Sequence, residues 1–192
     1  MESEALQAED VWLLPGWQNS DADHWQSRWQ ALYGYRRLEQ HDWLRPLRGD
    51  WSIRLQETVL DAPRPVVLAA HSLGCVLVAW WAAHAAAGNE KLARKVAGAL
   101  LVAPADTEQD SLRAVLPGWA PVMMQKLPFP SIVVGSESDP YCTLARAQAM
   151  AHAWGSRFVN AGAAGHINTA SGLGNWDSGH ALLQTFQPRN GS

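Results

Sequence analysis

The chain is short of cysteine, of charge and of long apolar runs, and each shortage excludes something. Among 192 residues there are two cysteines, Cys75 and Cys142, too few for a disulfide framework and without the spacing of a metal site. Cys75 reads as a small core residue. Cys142, three residues past Asp139, is either the same or a reactive thiol. Charged residues make up 17% of the chain, the net charge is -3, and no stretch gathers Lys and Arg on one face. That leaves no footprint for nucleic acid or for an anionic membrane surface. The longest apolar run, residues 73–83, falls well short of the roughly 20 residues needed to cross a bilayer. The first ten residues are acidic and lack the apolar core of a secretory signal, so a cytoplasmic location is expected. With no internal repeat, low-complexity tract or Gly/Ser linker, residues 1–192 are expected to form one domain, with 1–10 and 188–192 as disordered tails.

What is plentiful is apolar surface. Hydrophobic residues make up 47% of the sequence and eleven are tryptophan. Trp25 and Trp29 lie four apart, on one face of a helix, and Trp80 and Trp81 fall in an apolar helical stretch, which points to packing rather than a binding cage. Strand-like runs recur at residues 11–14, 66–70, 96–102, 131–134 and 157–160, with a polar candidate at 36–40. Helical patterns fill the gaps at 23–32, 51–59, 74–87 and 143–154. Such alternation implies crossover connections, a mostly parallel sheet and helices on both faces, a three-layer α/β architecture.

One junction in this pattern carries chemistry. The apolar strand 66–70 runs into His71, Ser72, Leu73 and Gly74, and then into an alanine-rich helix. A strand turning sharply into a helix at a serine, with small residues two before and two after it, is a nucleophile elbow that projects the hydroxyl above the sheet. Ala70 and Gly74 are those small residues. The alternative is a serine that merely caps the helix N-terminus.

A nucleophilic serine needs a base to take its proton and an acid to orient that base. Asp139 follows the apolar run 131–134 through a short loop and precedes Pro140, and His166 lies in a glycine-rich loop after the last strand. The order Ser, Asp, His along the chain suits an elbow serine. Glu137 and Asp106 compete for the acid. His71 is expected to point away at the sharp turn, while His24, His41, His84, His152 and His180 lack the glycine-loop setting. An oxyanion hole requires two fixed N–H groups. Leu73 supplies one, and the loop after the first strand supplies the other through Trp17 or, failing that, Gln18. Trp17, Leu73, Trp119, Met123 and Trp176 are the expected pocket walls. Residues 106–130, interrupted by Pro117, Pro121, Pro128 and Pro130, make a poor cap, so a shallow pocket for short acyl chains is expected.

Five motifs together carry a resemblance: Pro-Gly-Trp-Gln-Asn-Ser at 15–20, His-Trp-Gln at 24–26, Ala-His-Ser-Leu-Gly at 70–74, Ser-Asp-Pro-Tyr at 138–141 and Gly-His-Ile-Asn at 165–168. Across residues 11–183 the chain resembles the small serine hydrolases related to retinoblastoma-binding protein nine. The resemblance implies an α/β-hydrolase fold with a short lid or none, and a triad of Ser72, Asp139 and His166. Removing the first two strands of that fold's sheet leaves six strands in the order 2-1-3-4-5-6. The function expected is hydrolysis of a small ester, thioester or amide through an acyl-serine, needing no cofactor or metal. A catalytically silent interaction module on the same fold, with an unknown protein partner, and an acyltransferase using the same site are the alternatives.

Overall fold

The computed structural model describes residues 6–186. In chain order its elements are β1 (Val11–Leu14), α1 (Trp25–Tyr33), β2 (Arg36–Arg37), α2 (Arg48–Asp61), β3 (Val66–His71), α3 (Leu73–Trp81), α4 (Glu90–Ala93), β4 (Val96–Val102), α5 (Asp110–Val115), β5 (Ser131–Gly135), α6 (Leu144–Trp154), β6 (Arg157–Asn160) and α7 (Asp177–Leu183). The six strands form one open sheet in the order β2-β1-β3-β4-β5-β6, and every neighbouring pair is parallel. This is the predicted sheet.

Alternation along the central strands divides the core in two. Leu68 and Ala70 of β3, Leu101 of β4 and Val133 of β5 face one way and pack with Trp51 and Leu55 of α2, Leu77 and Trp81 of α3, and Met150 and Trp154 of α6. Val67, Ala69, Leu100, Val102, Ile132 and Val134 face the other way, where they meet Trp25 and Trp29 of α1 and Leu183 of α7. Both faces are buried, so the strands read as unbroken apolar runs. Most of the tryptophans are packing residues: Trp25, Trp29 and Trp81 are fully buried, as expected, and so are Trp51, Trp119 and Trp154.

The differences from the sequence reading have local causes. The strand expected over 36–40 shrinks to two residues. It is an edge strand carrying two arginines, and short charged edges resist further pairing. The helix expected over 74–87 keeps α-geometry to Trp81 and continues as a π-turn over Ala82–Ala86. The helices α4, α5 and α7, of four to seven residues, are too short to show a helical period in sequence. Within the tail expected to be disordered over 1–10, Ala8–Asp10 is a 3-10 turn, and the buried Asp10 carboxylate pairs with Arg64 at 2.8 Å. Residues 1–5 and 188–192 lie outside the described residues. Among the described residues no helix is long and apolar enough to cross a membrane.

Candidate active site

The turn from β3 into α3 is built on close backbone approach. Ser72 has φ 55° and ψ -118°, a strained conformation at the junction of strand and helix. It occupies the N-cap position of α3 but makes no side-chain cap bond, so its hydroxyl is free for other work. A Cβ on residue 74 would collide with the Leu14 carbonyl oxygen, and one on residue 16 would lie 2.9 Å from the Ser72 Cβ. Gly74 and Gly16 thus let the loop after β1 press against the serine. Ala70 is fully buried in the position that often holds a first glycine.

His166 bridges the serine to a carboxylate. Its Nε2 lies 2.9 Å from Ser72 Oγ, and its Nδ1 lies 2.9 Å from both Asp139 oxygens. A carboxylate only accepts, so Nδ1 carries the proton and Nε2 is left to accept from the hydroxyl. The Asp139 side chain is 1% exposed and the His166 side chain 10%, and the carboxylate also accepts the Tyr141 N–H at 2.9 Å. The competing acids are occupied elsewhere: Glu137 accepts from Asn160 Nδ2 at 2.9 Å, and Asp106 pairs with Arg146. Two serines, Ser136 and the Ser138 that opens the Ser-Asp-Pro-Tyr motif, join the Asp139 and His166 loops. Ser136 Oγ accepts the Ala164 N–H at 3.0 Å and Ser138 Oγ the Gly165 N–H at 2.9 Å.

Of the other histidines, His41, His84 and His152 lie on exposed surface away from the serine, and His180 bonds the Tyr35 hydroxyl. His71, expected to point away from the serine, is buried with its ring against that of His166. Its Nε2 donates to the His166 carbonyl at 2.9 Å, and its ring centroid is 4.7 Å from that of His166. His24 caps α1 by accepting the Gln26 N–H on Nδ1 and packs edge-on against His71. Burial pushes the His24 pKa down to about 4. Burial likewise holds His71 well below the usual histidine range, with the neighbouring His24 and His166 adding to the effect. Both imidazoles are neutral parts of the site wall. Cys142 is no reactive thiol: burial, with Asp106 and Asp139 nearby, pushes it up to about 12.

In the loop after β1, the Asn19 N–H closes a turn onto the Gly16 carbonyl, and the Gln18 N–H donates to the Trp43 carbonyl at 2.9 Å. Gln18 is therefore committed, which removes it as an oxyanion donor. Leu73 opens α3, where first-turn N–H groups lack helical partners. Among the described residues no protein acceptor takes the N–H of Leu73 or of Trp17.

A cavity of about 370 Å³ opens beside the serine. Its lining combines the apolar Leu73, Ala105, Leu112 and Leu116 with the polar Asn19, Asp21, Asn168 and Thr169, and with Trp17 and Tyr141. Three expected wall residues are elsewhere. Trp119 is fully buried, its indole N–H bound to the Pro46 carbonyl. Met123 packs against the core, where its carbonyl takes the Trp154 indole N–H. Trp176 stacks on Trp29 beneath the sheet. In each case the large apolar group reaches the core, and a turn of α5 with its exit offers the smaller Leu112 and Leu116, four apart, to the cavity instead.

Comparison with known proteins gives this geometry a lineage. A YdeN-like hydrolase from Pectobacterium atrosepticum is 30% identical, matching 94% of this chain and 90% of its own with a TM-score of 0.78. The ydeN product of B. subtilis, 17% identical, shares the fold over 93% of this chain and 98% of its own at a TM-score of 0.74. Est1E from Butyrivibrio proteoclasticus, solved with ferulic acid bound, is 12% identical and shares the fold over 93% of this chain and 90% of its own at a TM-score of 0.65. No curated protein sequence matches the chain. The profile of the serine hydrolase family matches residues 11–185, from the first strand past the last helix, and the chain belongs to that family.

Proposed function

We propose that Ser72 is the nucleophile of a hydrolase acting on small esters, thioesters or amides, with His166 as its general base and Asp139 as the group that orients the imidazole. The observation that carries this is the single imidazole lying 2.9 Å from Ser72 Oγ on one side and 2.9 Å from the Asp139 carboxylate on the other. Ser72 Oγ attacks the substrate carbonyl as Nε2 takes its proton. The leaving group departs with that proton, and water attacks the acyl-serine with His166 again as base. The Leu73 and Trp17 N–H groups serve as donors to the developing oxyanion, where such a donor contributes about 3–4 kcal/mol to transition-state stabilisation.

The cavity of about 370 Å³, walled on its apolar side by leucines rather than by a long lid, suits a short acyl group. Within the serine hydrolase family the five sequence motifs support kinship with the relatives of retinoblastoma-binding protein nine. The test is labelling of purified protein by a fluorophosphonate probe, with turnover of p-nitrophenyl esters. Labelling and turnover that both vanish in Ser72→Ala are expected. Labelling that survives this substitution would place the nucleophile elsewhere.

A further inference from the structure

The backbone just past His166 is bent against its own side chain. Ile167 has φ 48°, a left-handed conformation that sterics nearly forbid to a β-branched residue. Strain of this kind persists only where the surroundings hold it. Ile167 is completely buried, and two ring N–H groups grip the chain on either side of its Cα. The His71 Nε2 donates to the carbonyl of His166 at 2.9 Å. The indole N–H of Trp25 donates to the carbonyl of Ile167, also at 2.9 Å. These carbonyls belong to the two peptide planes that meet at the Ile167 Cα, so fixing both fixes its φ and ψ.

The donors come from elements that also hold the rest of the site. His71 ends β3 immediately before Ser72, so one turn carries the nucleophile and a grip on the backbone of its base. Trp25 opens α1, whose next residue, Gln26, donates to the Ala69 carbonyl of β3 at 2.9 Å and accepts from Ser20 Oγ at 2.7 Å. On the far side of the bend, Thr169 Oγ1 donates to the Asp21 carboxylate at 2.7 Å. Losing either ring donor would strand a buried carbonyl and let Ile167 relax, rotating the peptide that carries His166.

Building on the assignment of Ser72, His166 and Asp139, we infer that Trp25 and His71 are positioning residues: together they lock Ile167 in its strained conformation and so hold His166 Nε2 in line with Ser72 Oγ. They touch no reacting atom. Their contribution is the alignment of base and nucleophile, and a displacement of about 1 Å in such a pair costs on the order of 10²-fold in rate.

The test deletes each donor while keeping an aromatic ring, in Trp25→Phe and His71→Phe, and compares them with Trp29→Phe. Trp29 lies one turn further along α1, and its indole N–H is bound in the same manner to the Asn175 carbonyl at 2.7 Å, away from the reacting groups. Kinetics on a p-nitrophenyl ester, urea denaturation and fluorophosphonate labelling are read together. Expected is a fall in kcat of about 10²-fold in Trp25→Phe and His71→Phe with KM little changed. Trp29→Phe should lose comparable stability and keep its kcat. His71→Gln, which restores a donor near the Nε2 position, should recover most of the loss and provides the test if His71→Phe does not fold. Unchanged kcat in Trp25→Phe, or an equal fall in Trp29→Phe, would overturn the inference. If the wild type is labelled and Ser72→Ala is not, such a result defeats the clamp alone, whereas an unlabelled wild type defeats the assignment of the nucleophile.

Discussion

The carbonyl oxygen of Leu14 fills the space that a β-carbon on Gly74 would need. The loop carrying Gly16 and Trp17 leaves β1 at that point, so the contact sets how closely it approaches the serine. Gly74→Ala should destabilise the protein by about 1–3 kcal/mol, as overpacking does, and should lower kcat as well by pushing that loop back. Urea denaturation with parallel ester kinetics measures both. A variant of wild-type stability and activity would show that the backbones separate without penalty.

Ser72→Ala and His166→Ala should each reduce ester turnover by several orders of magnitude, and the double variant should be scarcely worse than either, because groups acting as a unit are not additive. Steady-state rates on purified variants decide this. Independent, multiplying losses would contradict the coupling implied by the Ser72 and His166 contact at 2.9 Å.

The cavity walls predict a chain-length profile. Efficiency, measured as kcat/KM on p-nitrophenyl esters, should be greatest for short acyl groups and fall as the chain outgrows the space bounded by Leu112 and Leu116. Leu116→Ala should move the optimum towards longer chains. A steady rise from acetyl to palmitoyl in the wild type would be incompatible with this cavity.

Acid should weaken the fold through its buried imidazoles. His24 falls from 6.5 to about 4 on folding, chiefly through burial, and His71 shifts the same way. The unfolded chain therefore binds protons that the native state refuses, so the stability linked to these groups is complete above the unfolded value and is lost as pH drops towards the folded one. For His24 the window runs from 6.5 to about 4, and the full shift corresponds to something on the order of 3 kcal/mol. His24→Asn keeps a capping side chain for α1 and should flatten the decline in urea midpoint across that window. An unaltered pH dependence would mean that His24 protonates freely in the folded protein.

Much of the frame was legible because its signals are local. Strands 11–14 and 96–102 have their predicted bounds, since a buried parallel strand announces itself as an apolar run between turn residues, and the more exposed edge strand 157–160 matches as well. Ser72, Asp139 and His166 could be named because each stands in a loop directly after a recognisable strand, and the structure brings them within hydrogen-bond reach. What escaped depends on tertiary partners. The Trp25 donor and its acceptor on Ile167 are 142 residues apart, and nothing local marks either. The His-Trp-Gln string at 24–26 was the only hint. The pocket walls differ from the sequence expectation for a related reason: in a chain this rich in tryptophan, size alone does not reveal that Trp119 and Trp176 are consumed by the core while ordinary leucines line the cavity.

The open, wholly parallel sheet has a last consequence for inheritance. The loops after β1, β3, β5 and β6 carry the proposed donors, nucleophile, acid and base, whereas Ala105, Leu112 and Leu116 belong to the connection between β4 and β5. One apolar part of the cavity lining is thus written in a stretch of the gene that holds none of the proposed reacting groups. A recombination that exchanges only the β4–β5 connection between relatives would alter that part of the wall while leaving Ser72, Asp139 and His166 in place.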